Sequence, residues 1–206
     1  DIAPGLAEIG LMLPYSPLHH LLLDDFGRPV VATSGNLSGE PVITDPGEAE
    51  ERLAGVADAF LHHDRPIERP ADDPVYRGGH GGATRPLRLG RGDAPLELTL
   101  ARPVAVPTLA LGAFLKNTVA LAWDDRVVVS PHIGDLQAPR SRQVREQVAE
   151  DLQALYGVRA AAVAHDAHPG FPAARRGGDT VLPALLVFHH HAHAAALAAE
   201  AASAAA

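Results

Sequence analysis

The 206-residue chain has no cysteine, which excludes disulfides, thiolate nucleophiles and cysteine-type zinc sites together; any metal must be held by histidine or carboxylate. Lysine is nearly absent too. Lys116 stands alone, and arginine supplies 16 of the 17 cations. Arginine forks grip phosphate and carboxylate bidentately, although a genome-composition bias, which the Ala-rich sequence favours, is the better account of the excess. Basic residues are outnumbered: 25 acidic against 17 basic side chains leave a net charge of −8, which disfavours nucleic acid and anionic membrane as partners. No apolar run, including residues 181–188, is long enough to cross a bilayer, and no charged-then-apolar leader opens the chain, so a cytoplasmic location is expected. The first residue is Asp1 and the last stretch, 193–206, is Ala-rich helix to its end, so the sequence reads as a piece of a longer one.

What is present points to a folded α/β protein. Hydrophobic residues make up 47% and charged residues 20%, enough apolar material for one large or two small cores. The first half suggests strands at residues 8–13, 29–32 and 57–61, and one helix that Asp45 can cap, with Pro46 at its first position and residues 48–53 in its body. A glycine-rich bend at 78–82 and prolines 95, 103 and 107 mark a change of rhythm, which sets a domain boundary near residue 103 and domains of 1–102 and 103–206. Beyond it the pattern predicts a strand at 108–111, a hairpin of 118–123 and 126–130 turned at Asp124-Asp125, a helix at 140–156 ending at Gly157, strands at 160–164 and 182–188, and a final helix. That order matches the opening of an actin-like, ribonuclease-H-like fold.

Several loops carry chemistry. Thr33-Ser34-Gly35-Asn36-Leu37-Ser38-Gly39-Glu40-Pro41 follows an expected strand, and its small hydroxyls, carboxamide and glycines let backbone and side chains approach a phosphate closely; the same residues also make ordinary turns. Arg65, Asp73 and Arg77 in the next loops, and Arg85, Arg88 and Arg91 after them, can orient an acyl phosphate or simply pair on the surface. Lys116, in Gly112-Ala113-Phe114-Leu115-Lys116-Asn117-Thr118, is a point cation for phosphate at a strand-to-strand turn, with Asn117 and Thr118 as hydrogen-bonding neighbours. His132-Ile133-Gly134-Asp135-Leu136 and Asp166-Ala167-His168-Pro169-Gly170-Phe171 each put His and Asp at a strand's end, making Asp135 and His168 catalytic candidates with Lys116. In His189-His190-His191-Ala192-His193, positions 189 and 193 share one helical face and can grip one ion, while His190 and His191 point elsewhere. Two histidines leave the shell incomplete.

Taken in order, Pro14-Tyr15-Ser16-Pro17-Leu18-His19-His20-Leu21-Leu22 and the motifs above resemble the HypF family of hydrogenase-maturation carbamoyltransferases, across nearly the whole chain. The 33–41 loop also resembles the wider YrdC family. The resemblance implies the end of a YrdC-like domain joined to the start of an actin-like transferase domain. It implies formation of carbamoyl adenylate from carbamoyl phosphate and ATP with Mg²⁺, with Ser34, Asn36, Ser38 and the neighbouring arginines binding phosphates and nucleotide. The carbamoyl group then passes, near a divalent iron or zinc held by His189 and His193, to the C-terminal cysteine of the partner HypE. Pro74, Phe114 and Pro131 depart from the family pattern. Rival readings are an antibiotic-type O-carbamoyltransferase, whose two domains come in the opposite order, and a YrdC-like nucleotide- or double-stranded-RNA-binding module, which the acidic balance disfavours.

Overall fold

A computed structural model describes residues 2–78, 82, 84–168 and 182–203. Most of the expected 78–82 bend, and Pro169, Gly170 and Phe171, lie outside the described residues. The chain forms two compact units, Asp1–Ser34 and Gly35–Ala206. The boundary expected near residue 103 falls within the second of these.

Among its described residues the first unit holds one helix, α1 (Pro17–Phe26), which the sequence reading missed. Ser16 caps it by accepting the His19 N–H at 3.2 Å, and Pro17 occupies its first turn, where no N–H is needed. The strands expected at residues 8–13, 29–32 and 57–61 do not form among the described residues. Their apolar side chains stand in solvent: Leu11 is 90% exposed, Val31 77% and Leu61 64%. Apolar alternation proposes a strand, but only a neighbouring strand that pairs along it makes one, and among the described residues no strand pairs with these segments.

In the second unit, α2 (Pro46–Leu53) starts as expected, the Glu48 N–H meeting the Asp45 carboxylate at 2.8 Å. An antiparallel ribbon follows, β1 (Val75–Gly78) against β2 (Thr84–Arg88). A six-stranded sheet occupies the rest: β3 (Leu96–Thr99), β4 (Thr108–Ala110), β5 (Ala120–Trp123), β6 (Arg126–Val129), β7 (Ala162–Asp166) and β8 (Ala184–Val187), in the order β3-β6-β5-β4-β7-β8. The hairpin β5–β6 turns at Asp124 and Asp125 with Trp123 opposite Arg126. From β4 onward the order is the actin-like one, with β4, β7 and β8 parallel and β5 and β6 antiparallel. Strand β3, from before residue 103, extends this sheet at the β6 edge.

Helix α3 (Pro139–Tyr156) makes the crossover from β6 to β7 and ends at Gly157, as expected. Its inner stripe of Ser141, Arg145, Val148, Ala149 and Leu152 follows the period of a helix packed on a sheet. Val148, Ala149 and Leu152 close over Leu109, Leu121, Val128 and Val163 to form the core. This core holds the ends of β4, β6 and β7 in place, and Lys116, Asp135 and His168 sit on the loops that leave those ends. Helix α4 (His189–Ser203) follows β8. Among the described residues no helix is long and apolar enough to cross a membrane.

Candidate functional site

The loop between β4 and β5 is built around Asn117. This side chain is 1% exposed and donates from Nδ2 to Leu111 O at 2.9 Å and Ala113 O at 2.6 Å, folding the loop onto itself. Gly112 lies beneath it with φ 67°, and a Cβ there would sit 2.4 Å from Thr118 O and 2.7 Å from Asn117 Nδ2. Only glycine fits. The tight fold sets Lys116 in the left-handed region at φ 48°, a costly conformation for a lysine. Asp135 supports it: its Oδ1 accepts the Lys116 N–H at 2.7 Å, while Asn117 N–H bonds Gly134 O at 2.9 Å and Ile133 N–H bonds Asn117 O at 2.8 Å. The loop before β5 and the loop after β6 are thus stitched together, and two catalytic candidates, Lys116 and Asp135, meet.

They meet on the wall of a cleft of about 260 Å³, whose lining includes Glu40, Asp72, Lys116, His132, Asp135 and Ser141. The opposite wall comes from residues 39–41 and 70–72. Gly90 closes this part of the structure: a Cβ on it would lie 2.4 to 2.6 Å from the backbone of residues 72–74. Arg91 N–H bonds Asp72 O at 2.9 Å, and His132 N–H bonds Leu89 O at 3.0 Å, tying the ribbon to the sheet. Burial pushes the His132 imidazole below its usual 6.5; the Asp72 and Asp135 carboxylates oppose this, and Arg88 and Lys116 add to it. Glu40 and Asp72 were not among the expected site residues, and His132 was read only as part of the motif that supplied Asp135.

The expected phosphate-binding residues disperse. Asp73 and Arg91 join at 3.0 Å, and Arg88 bonds Asp73 O at 3.0 Å and lies 3.6 Å from Asp72. Arg65 and Arg77 are exposed, Arg77 in β1 facing Arg85 across the ribbon. Asn36 holds its own loop, donating to Leu37 O and Glu40 O, both at 2.9 Å; Ser38 is an exposed turn residue. Ser34, also exposed, ends the first unit.

The histidine pair lies at the end of the β7–β8 sheet edge. His189 and His193 bring their Nε2 atoms to 3.0 Å, with ring centroids 4.6 Å apart. Asp166, at the end of β7, holds His189 Nδ1 at 2.8 Å from its Oδ2. Burial pushes the Asp166 carboxyl up, but the His168 backbone N–H and the His189 ring outweigh it and hold the group below the usual range. The backbone N–H of His168, a catalytic candidate from the sequence, caps Asp166, and His168 does not line the cleft. His190 stacks on Phe188 at 5.7 Å. Two imidazole nitrogens on one tetrahedral ion sit roughly 3.3 Å apart for bonds of about 2.0–2.1 Å, so the pair, with one ring oriented by a carboxylate, fits a divalent metal. Among the described residues no third His, Asp or Glu completes the set.

Comparison with known proteins places this architecture. The family described as "HypF Kae1-like domain" matches residues 104–200, and the one described as "Telomere recombination" (Sua5, YciO, YrdC) matches residues 1–90. Carbamoyltransferase HypF of Synechocystis sp. is 43% identical over 92% of the chain, and that of Rhodobacter capsulatus 43% over 92%. The chain spans about a quarter of the length of these relatives (25% and 26%). A crystal structure of full-length HypF in its phosphate- and nucleotide-bound form superimposes with a TM-score of 0.86 at 39% identity, covering 96% of the chain and 32% of that structure. The T. kodakarensis HypF structure gives 0.84 at 33% identity, covering 93% and 25%. With YrdC-type and Kae1-like segments following one another as they do in these proteins, the chain belongs to the HypF carbamoyltransferase family.

Proposed function

We propose that the protein is an ATP-dependent carbamoyltransferase that forms carbamoyl adenylate from carbamoyl phosphate and ATP with Mg²⁺, then hands the carbamoyl group to the C-terminal cysteine of HypE during nickel-iron hydrogenase maturation in the cytoplasm. The observation that carries this reading is the cleft shared by the 39–41 loop of the YrdC-type segment and the Lys116–Asp135 wall of the Kae1-like segment. A reaction in two stages needs its activated intermediate kept from water between stages, and a common concavity serves that need.

Within it, Lys116 supplies the positive charge for a phosphate oxygen, and the Asp135 bond to its backbone fixes where that charge stands. Asn36 shapes the loop from which Ser38 presents its hydroxyl. Arg88 and Arg91 are held by Asp72 and Asp73 beside the cleft. His189 and His193 would hold the divalent metal, iron or zinc, which supplies Lewis acidity toward the carbamoyl oxygen. Asp166 orients His189 through its Nδ1.

Hydrolysis of carbamoyl phosphate releases inorganic phosphate and leaves carbamate, whose attack on the α-phosphate of ATP expels pyrophosphate, and transfer of the carbamoyl group to a thiolate then expels AMP. The test is carbamoyl-phosphate-dependent release of pyrophosphate and AMP from ATP by the full-length protein. A folded protein with no such turnover overturns the reading, and ATP binding without metal binding would favour a nucleotide-binding module.

A further inference from the structure

The lining of the cleft has an unexpected charge balance. Three carboxylates, Glu40, Asp72 and Asp135, face one ammonium, Lys116, and a histidine shifted toward its neutral form. Left bare, those carboxylates would repel a phosphate-bearing ligand. Each therefore has a partner: Asp72 has Arg88 at 3.6 Å, and Asp135 has the Lys116 N–H at 2.7 Å.

Glu40 has the most elaborate arrangement. Its Oε2 accepts from Arg52 Nη2 at 2.6 Å, Arg52 Nη1 donates to Glu48 Oε1 at 3.0 Å, and the same Glu48 oxygen accepts from Arg140 Nη1. The relay runs from the 39–41 loop through α2 to the first turn of α3, next to Ser141 on the other wall of the cleft. Its side chains are only 25 to 31% exposed. Hydrogen bonds from Glu40 and then Glu48 raise Arg52, and those from Arg140 and then Arg52 lower Glu48, so the central pair, Arg52 and Glu48, stays charged at neutral pH.

We infer that Arg52 is a positioning residue: it draws off and neutralises the Glu40 carboxylate so that the cleft admits a phosphate-bearing anion, and Arg140 anchors it through Glu48. This rests on the proposed use of the cleft, since Arg52 is outside the lining and acts through Glu40.

The test compares R52M, R52M/E40Q and R140M with the full-length wild type, reading KM for carbamoyl phosphate separately from kcat. One uncompensated charge near an anion, partly screened, raises KM roughly tenfold in R52M with a smaller change in kcat. Adding E40Q removes the offending charge and brings KM back to within about threefold of wild type, and R140M raises KM by about threefold. A merely structural arginine gives no such rescue. Unchanged KM in R52M, or a rise that E40Q fails to reverse, overturns the inference. Should R52M fail to fold, R140M carries the test, and an unchanged KM there overturns it. Should the wild type show no turnover, the proposed activity fails, and calorimetric binding of inorganic phosphate by the same proteins decides the relay alone: loss in R52M with recovery in R52M/E40Q supports it, and equal binding by all overturns it.

Discussion

His189 and His193 point their Nε2 atoms at one another across a single turn of α4, 3.0 Å apart, while Asp166 grips the far nitrogen of His189. Two imidazoles aimed at one point are a weak hydrogen-bonded pair but a strong pair of metal ligands. Replacing either with Ala is expected to remove bound metal from the full-length protein, measured by elemental analysis after dialysis. Asp166→Asn keeps both ligands but weakens the hold on His189, and should lower metal affinity about 10- to 100-fold in a chelator competition. Metal content unchanged in both histidine variants would refute the ligand assignment.

Gly112 and Asn117 make a second pair whose removal has a calculable sign. In Gly112→Ala the new methyl meets backbone oxygen and a buried amide, neither able to retreat, in a φ region alanine avoids, so a loss of roughly 2–4 kcal/mol is expected. Asn117→Ala strands the Leu111 and Ala113 carbonyls and should cost about 1–3 kcal/mol. Urea denaturation measures both. A loss below half a kcal/mol in each would mean that the loop does not depend on this close approach.

Lys116 separates stability from function. Its positive φ costs up to about 1 kcal/mol, which Lys116→Gly relieves while deleting the only lysine charge. The variant should be as stable as wild type or slightly more so, yet bind carbamoyl phosphate at least tenfold more weakly, an ordinary cost for a lost charge-assisted contact. Unchanged affinity would remove Lys116 from the phosphate site.

His132 gives the protein a pH dependence of known sign. Because burial lowers its folded pKa below 6.5, the unfolded chain binds the proton first as pH falls. Its contribution to stability is fully present above 6.5 and is lost as pH drops through the folded value. His132→Gln should therefore flatten the stability profile below pH 6.5, followed by thermal melts, and the His132 ring resonance in the wild type should titrate below 6.5. Titration above that value would reverse the prediction.

Where both members of an interaction lie close along the chain, the sequence was readable. Asp45-Pro46 announced α2, Asp124-Asp125 the hairpin and Gly157 the end of α3. The same signals, Ser16-Pro17 at one end and Gly27 at the other, mark α1, which went unread amid an apolar run. The expected strands at 8–13, 29–32 and 57–61 failed for a different reason: alternation reports which side of a strand is apolar, not whether a neighbour exists to pair with it. In the site, Lys116 and Asp135 were legible because both leave strand ends. The roles of Glu40 and Asp72 were not, since their place in the cleft depends on segments more than forty residues away, such as the Lys116–Asp135 wall. His168 shows the limit of motif reading. Its position after a strand was legible, but only the fold reveals that its backbone serves Asp166.

Helix α2 ties local structure to the cleft, and its cap is the simplest lever on that tie. Asp45 accepts the Glu48 N–H, and Glu48 is the residue that joins Arg52 to Arg140. Asp45→Ala removes the cap and should cost about 1 kcal/mol, whereas Asp45→Asn keeps an accepting oxygen and should cost only a few tenths. Because the first turn then frays, Glu48 loses its fixed position, and KM for carbamoyl phosphate should rise in Asp45→Ala in the same direction as in R140M. Urea denaturation and steady-state kinetics on the two variants decide it: a destabilised Asp45→Ala with unaltered KM would show that the helix start and the cleft are independent.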